Sequence, residues 1–99
     1  MVKLVALYKK PTDIEAFEKH YQETHLPLAK KMQGLVKLEV SNMTGSPAGE
    51  PKFYMMAELY FEDKNAMFAA LNSDEGKAAA DDIMAVAGDI IHMMFATVD

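Results

Sequence analysis

Residues 53–61 read FYMMAELYF, and apart from Glu58 every position is apolar or aromatic. Successive side chains of a strand point to opposite faces, so a sheet with one face in water alternates apolar and polar residues. This stretch does not alternate, and both of its faces therefore need cover. TGSPAGEP, residues 44–51, precedes it with two glycines and two prolines and reads as a surface loop.

The flanking sequence says what can cover one face. Val2 to Tyr8 alternates and is rich in aliphatic residues, a first strand. Pro11-Thr12-Asp13 supplies a turn and a helix N-cap, with Glu15 and Glu18 near the positive end of the helix dipole. Ile14, Phe17, Tyr21, His25, Leu28 and Met32 recur at spacings of three and four, a stripe that packs on a sheet, and Gly34 ends that helix. Leu35 to Thr44 reads as a second strand and Phe53 to Phe61 as a third. Helical signal runs from Lys64 to Leu71, pauses at NSDEG and resumes from Lys77 to Ala87; Ile90 to Val98 closes as a fourth strand. The order βαββαβ is the α+β, ferredoxin-like arrangement, a four-stranded antiparallel sheet with helices on one face.

Helices on one face leave the other bare, and a second copy of the same sheet is the cheapest cover. With Phe53, Met55, Ala57, Leu59 and Phe61 toward the helices, Tyr54, Met56, Glu58 and Tyr60 face the partner in a face-to-face homodimer. Glu58 then needs a counter-charge, which Lys3 or Lys37 on neighbouring strands can supply. A monomer with an exposed oily sheet is the alternative.

Ninety-nine residues suffice for one domain, 1–99, with one core. No apolar run approaches the ~20 residues of a membrane span, and the N-terminus lacks a signal-peptide pattern. A cytoplasmic location is the expectation. Zero cysteines exclude disulfides, thiol nucleophiles and cysteine-held metals. A net charge of -5 without a basic stripe argues against nucleic acid and anionic membranes as partners, and for a small molecule or a protein.

The segment HYQETHLPLA, residues 20–29, carries two of the three histidines. At about 100° per residue they point about 140° apart, so an α-helix cannot aim both at one ion. His25 lies on the apolar stripe and faces the helix–sheet interior, with His20 nearer the edge. Pro27 lacks an N–H and disfavours helical geometry at Leu26, which predicts a break between Thr24 and Leu26 and a restart at Pro27. His25 can act there as general acid, general base or hydrogen-bond donor, or can simply satisfy the carbonyls that the break frees. His92 sits mid-strand on a face the sequence leaves open, as a core or interface residue. Tyr8, Tyr21, Tyr54 and Tyr60 can each place a hydroxyl in a cavity or an interface. Nine methionines suit an adaptable apolar lining and core filling alike. Asp81 or Asp82 on the last helix can orient a histidine across the cleft, although a solvated face is the default for both. No metal cluster, phosphate loop or Ser/His/Asp order is present, so neither metal nor cofactor is expected.

LVALYKKP, AFEKHYQETHLPLAKKMQGL, AELYF and SDEGKAAADD together resemble the EthD family, named for ethyl tert-butyl ether degradation and placed in the dimeric α/β-barrel superfamily. The H-x4-H-x-P-L-A element followed by K-x-x-G-L carries the resemblance. It implies a homodimer whose sheets pack into a barrel, and a protein that binds a hydrophobic or aromatic small molecule as an auxiliary to an oxidative degradation or biosynthetic pathway. It also implies alternatives: a cofactor-free cyclase, dehydratase, decarboxylase or isomerase with His25 as general acid/base, or a cofactor-free monooxygenase or other oxidoreductase. The rival from a different class is a non-catalytic structural or interaction protein. His25 is the histidine of the motif, with His20 and Tyr21 beside it; apart from the resemblance, Tyr8 and Tyr54 are taken from the four tyrosines as further expected ligand contacts. Asp74-Glu75-Gly76 stands where related polyketide cyclases carry a histidine, so their mechanism does not transfer. Gln33 stands where many members have proline.

Overall fold

The computed structural model describes residues Met1–Asp99. Strand β1 spans Val2–Tyr8, helix α1 Ile14–His20, a π-helical turn Tyr21–His25 and helix α2 Leu26–Ala29. Strands β2 (Lys37–Asn42) and β3 (Met55–Phe61) follow, then helices α3 (Lys64–Asn72) and α4 (Asp74–Ala87), and strand β4 (Ile91–Thr97). The four strands form one antiparallel sheet in the order β2-β3-β1-β4, with the helices on one side, the ferredoxin-like arrangement. No helix is long and apolar enough to cross a membrane.

Local chemistry sets the helix ends. Asp13 caps α1 by accepting from the Ala16 N–H, and Asp63 caps α3 in the same way through Ala66. Ser73 ends α3 and starts α4: its hydroxyl donates to the Ala70 carbonyl and accepts from the Gly76 N–H. The corner is tight enough that a Cβ on Gly76 would lie 2.1 Å from the Ala70 carbonyl oxygen, so only glycine fits. The first helix ends at Ala29 rather than at Gly34; Gly34 instead occupies the left-handed region, φ 87°, in the turn that leads to β2. Its short reach follows from Lys30 and beyond adopting turn geometry, which the apolar stripe alone does not reveal.

The core lies between the helices and one face of the sheet. Ala6, Tyr8, Met55, Ala57, Leu59 and Phe61 supply its sheet side, and Phe17, Tyr21, Met67 and Ile83 are among its helix-side residues. Phe61 is 0% exposed; burying such a side chain fully contributes about 1.5–3 kcal/mol.

On the helix-free face the register lines up Lys3, Tyr60 and Lys37 in one row and Leu7, Met56 and Ser41 in another. Lys3 Nζ sits 2.6 Å from Glu58, so the expected counter-ion is there, and Lys37 Nζ lies 4.5 Å from the Tyr60 ring centroid. Val5, Leu7, Met56 and Met94 form an apolar band beside these charges.

The alternation expected over 53–61 holds only from Met55 onward. The backbone bends at Tyr54, where regular β3 has not begun. The bend exchanges the faces of the two preceding residues: Tyr54 packs on the helix side and its hydroxyl donates to Glu18 of α1, while Phe53 meets His92 edge-on at 5.7 Å. Tyr54 therefore does not face a partner, and His92 is assigned to the helix-free face, opposite Leu7.

Candidate functional site

An apolar cavity of about 280 Å³ opens between the helix layer and the sheet. Its floor is built by β1, β3 and β4, with the small side chains of Ala6 and Ala57 at the centre, and its roof by the first helical run and α4. Fifteen of its seventeen lining residues are hydrophobic. Polar function is thus confined to very few groups, the pattern of a site that binds an apolar molecule and orients it at one or two points.

Those groups come from Tyr8, Tyr21 and His25. The rings of Tyr8 and Tyr21 meet edge-on at 5.7 Å, and the His25 ring lies 5.2 Å from that of Tyr21. Burial pushes the Tyr21 hydroxyl up to about 12 and that of Tyr8 higher still, so both remain protonated donors. Burial also pulls the His25 ring below its ordinary value of 6.5, against the raising effect of Asp82, so the neutral form is favoured.

His25 Nδ1 lies 3.2 Å from Asp82 Oδ2. A carboxylate only accepts, so Nδ1 of the neutral ring carries the proton and Nε2 carries the lone pair. Nε2 has no protein partner, yet no buried polar side-chain atom is left unpaired. That nitrogen is therefore open, on a residue that lines the cavity. The arrangement is an imidazole whose tautomer is held by a carboxylate from another helix.

His20 reaches the same carboxylate, its Nε2 lying 2.8 Å from Oδ1 and 3.0 Å from Oδ2. An α-helix would splay His20 and His25; here the turn between them is closed by Leu26 N–H donating to the Tyr21 carbonyl, an i→i+5 bond. Such a turn stacks residues five apart, as an α-turn stacks residues four apart. The expected break is thus absent: the helix widens instead of stopping, and Pro27 falls in the first turn of α2, where its missing N–H costs little.

Of the expected site residues, Tyr8, Tyr21 and His25 line the cavity. His20 stands behind the site, touching it through Asp82, and Tyr54 lies outside it on Glu18. Sequence reasoning left Asp82 with a solvated face as its default, whereas its side chain is only 15% exposed; Asp81 is the solvated one of the pair. The readable signal for this network was the five-residue spacing of the histidines, which equals the span of a π-turn hydrogen bond. Met93 and Phe95 at the cavity edge were also passed over, because their face depends on a register that only pairing with β1 defines.

Comparison with known proteins agrees with this architecture. A structure of an EthD-family protein from Bacillus halodurans superposes with a TM-score of 0.97 at 44% identity, covering 100% of this chain and 99% of that one. A dimeric protein of unknown function with a ferredoxin-like fold from Bacteroides fragilis is similar in fold at a TM-score of 0.68 and 18% identity, covering 98% of this chain and 95% of that one. An uncharacterized 11.0 kDa protein from the thcB-thcC intergenic region of Rhodococcus erythropolis is 30% identical over 95 residues, 96% of this chain and 92% of its own length. The EthD domain profile matches residues 9–87, which hold both histidines, Asp82 and most of the cavity walls, and the chain belongs to the EthD family.

Proposed function

We propose that the protein binds a hydrophobic or aromatic small molecule carrying an oxygen function in this cavity, and that His25 moves a proton at that molecule. The observation that carries the reading is the open Nε2 of His25, aimed from a ring whose Nδ1 is tied to Asp82. Nε2 takes a proton from a hydroxyl, or from carbon next to a carbonyl; the Asp82 carboxylate stabilises the imidazolium that forms. The Tyr8 and Tyr21 hydroxyls, kept protonated by burial, donate to the ligand oxygen as charge develops there. The apolar walls exclude competing water. A cyclisation, dehydration, decarboxylation or isomerisation meets these requirements, as does binding alone in the service of an oxidative pathway.

The working unit in this proposal is a homodimer joined through the helix-free sheet face. The apolar band of Val5, Leu7, Met56 and Met94 supports it, as does the dimeric state of a fold neighbour.

The test is a thermal-shift screen over small phenols and polyketide-like aromatics, repeated on His25→Asn. Asparagine keeps an N–H for Asp82 and removes the open ring nitrogen. Expected are a melting temperature within a few degrees of the parent and a loss of at least about tenfold, ~1.4 kcal/mol, in affinity for the best ligand. Undiminished affinity in a folded His25→Asn protein would remove the role assigned to His25.

A further inference from the structure

Resting on the cavity reading above, we propose that Phe95, braced by Phe68, is the length stop of the site, and that the ligand is an elongated apolar molecule with one oxygen-bearing head, of the alkylphenol type.

The sheet register orders the cavity floor into rows. Tyr8 pairs with Ile91, Ala6 lies between Ala57 and Met93, Leu4 between Leu59 and Phe95, and Val2 between Phe61 and Thr97. The polar hydroxyl of Tyr8 marks one end, and Tyr21 and His25 sit over it and beside it. Four residues of strand separate the Tyr8 row from the Leu4 row, about 13 Å. Over that distance the floor is apolar and, at Ala6 and Ala57, shallow-sided. A ligand oriented by its oxygen at the His25 end must therefore extend its carbon skeleton toward Phe95.

Beyond Phe95 lies a second groove, also about 280 Å³, lined by Val2, Phe68 and Thr97 with Lys64 at its rim. Phe95 is the one side chain that lines both spaces. Its ring meets that of Phe68 edge-on at 5.4 Å, an arrangement aromatic rings prefer. Phe95 is 57% exposed and Phe68 42% exposed, so neither is needed to fill the core. An edge strand that carries a large exposed aromatic side chain invites unwanted pairing. The cost is explained when the ring partitions the apolar cavity from a neighbouring, partly polar groove with which it would otherwise be continuous. Removing it joins them, and a longer skeleton fits.

Isothermal titration of the parent chain, Phe95→Ala and Phe68→Ala with 4-alkylphenols from 4-methyl to 4-nonyl tests this. In the parent, affinity should rise with chain length to a limit and then fall at least fivefold. In Phe95→Ala the limit should move out by two or more methylenes, while 4-methylphenol binds within threefold of the parent; Phe68→Ala should move it in the same direction by less. Circular dichroism and melting establish that each variant is folded, and Phe95→Leu takes the place of an alanine variant that is not. A folded Phe95 variant with the parental limit overturns the length stop and leaves the His25 site standing. Failure of every phenol to bind any of the proteins overturns both.

Discussion

His25 shows how one residue can be defined by two neighbours acting in opposite directions. Burial favours its neutral form, and the Asp82 carboxylate favours the charged one; burial is the larger influence and the ring's affinity for protons falls. The sign of the consequence for stability follows. The unfolded chain takes up a proton at this ring near pH 6.5, whereas the folded protein does so only at lower pH. As pH falls below about 6.5 the unfolded state is favoured, and the stability present above that pH is lost until the folded-state value is passed. Urea denaturation at pH 7.5, 6.5 and 5.5 should show this decline, and His25→Asn should lack His25's share of it. Equal declines in the two proteins would mean that burial does not govern the ring. The pairing of His25 with Asp82 was legible as an option in the sequence, because α4 had to cross the first helix somewhere. Which of the two adjacent aspartates turned inward was not, since that depends on the rotation of α4 over the sheet.

At the scale of elements, the π-turn at Tyr21–His25 is the device that brings both histidines to Asp82. Pro27 cannot donate, and inside an unbroken α-helix its ring would meet the carbonyl four residues back, at a cost of about 3 kcal/mol. Widening the preceding turn places Pro27 at the start of α2, and the same widening stacks His25 with His20 on Asp82. Gln22, Glu23 and Thr24 are all exposed, so one of them can be removed without touching the core. Deleting Glu23 converts the π-turn into an α-turn and leaves the residues after it on the faces they now present. The deletion should lower stability by roughly 3 kcal/mol because Pro27 then lies in an uninterrupted helix, and adding Pro27→Ala should recover most of that loss. Denaturant titration of the two single variants and the double variant measures the coupling. Additive effects would show that proline is not the reason for the widened turn.

The whole molecule is a layered structure with only one of its two sheet faces covered by its own helices. On the helix-free face the Lys3–Glu58 pair and the cation-bearing Tyr60 row lie beside the band of Val5, Leu7, Met56 and Met94. If two copies meet there, Met56→Lys should place an unpaired charge in the contact. Sedimentation velocity should then report a dimer for the parent chain at micromolar concentration and an 11.0 kDa monomer for Met56→Lys, with the far-ultraviolet spectrum unchanged. A parent chain that sediments at 11.0 kDa at every concentration would sink the dimer.

The order of strands and helices, the capping of α1 by Asp13 and the need of Glu58 for a lysine were all determined by the sequence alone, because each rests on near neighbours or on residue type. The histidine motif likewise pointed to the helical run whose Tyr21 and His25 line the cavity. Three things waited for the tertiary structure. The bend at Tyr54 exchanged two aromatic faces, the widened turn before Pro27 brought His20 and His25 onto one carboxylate, and the pairing of β4 with β1 carried Phe95 to the cavity edge. Each turns on a shift of a single residue in register or helical phase. Such shifts change little in local preference, and only packing against the rest of the chain selects between them.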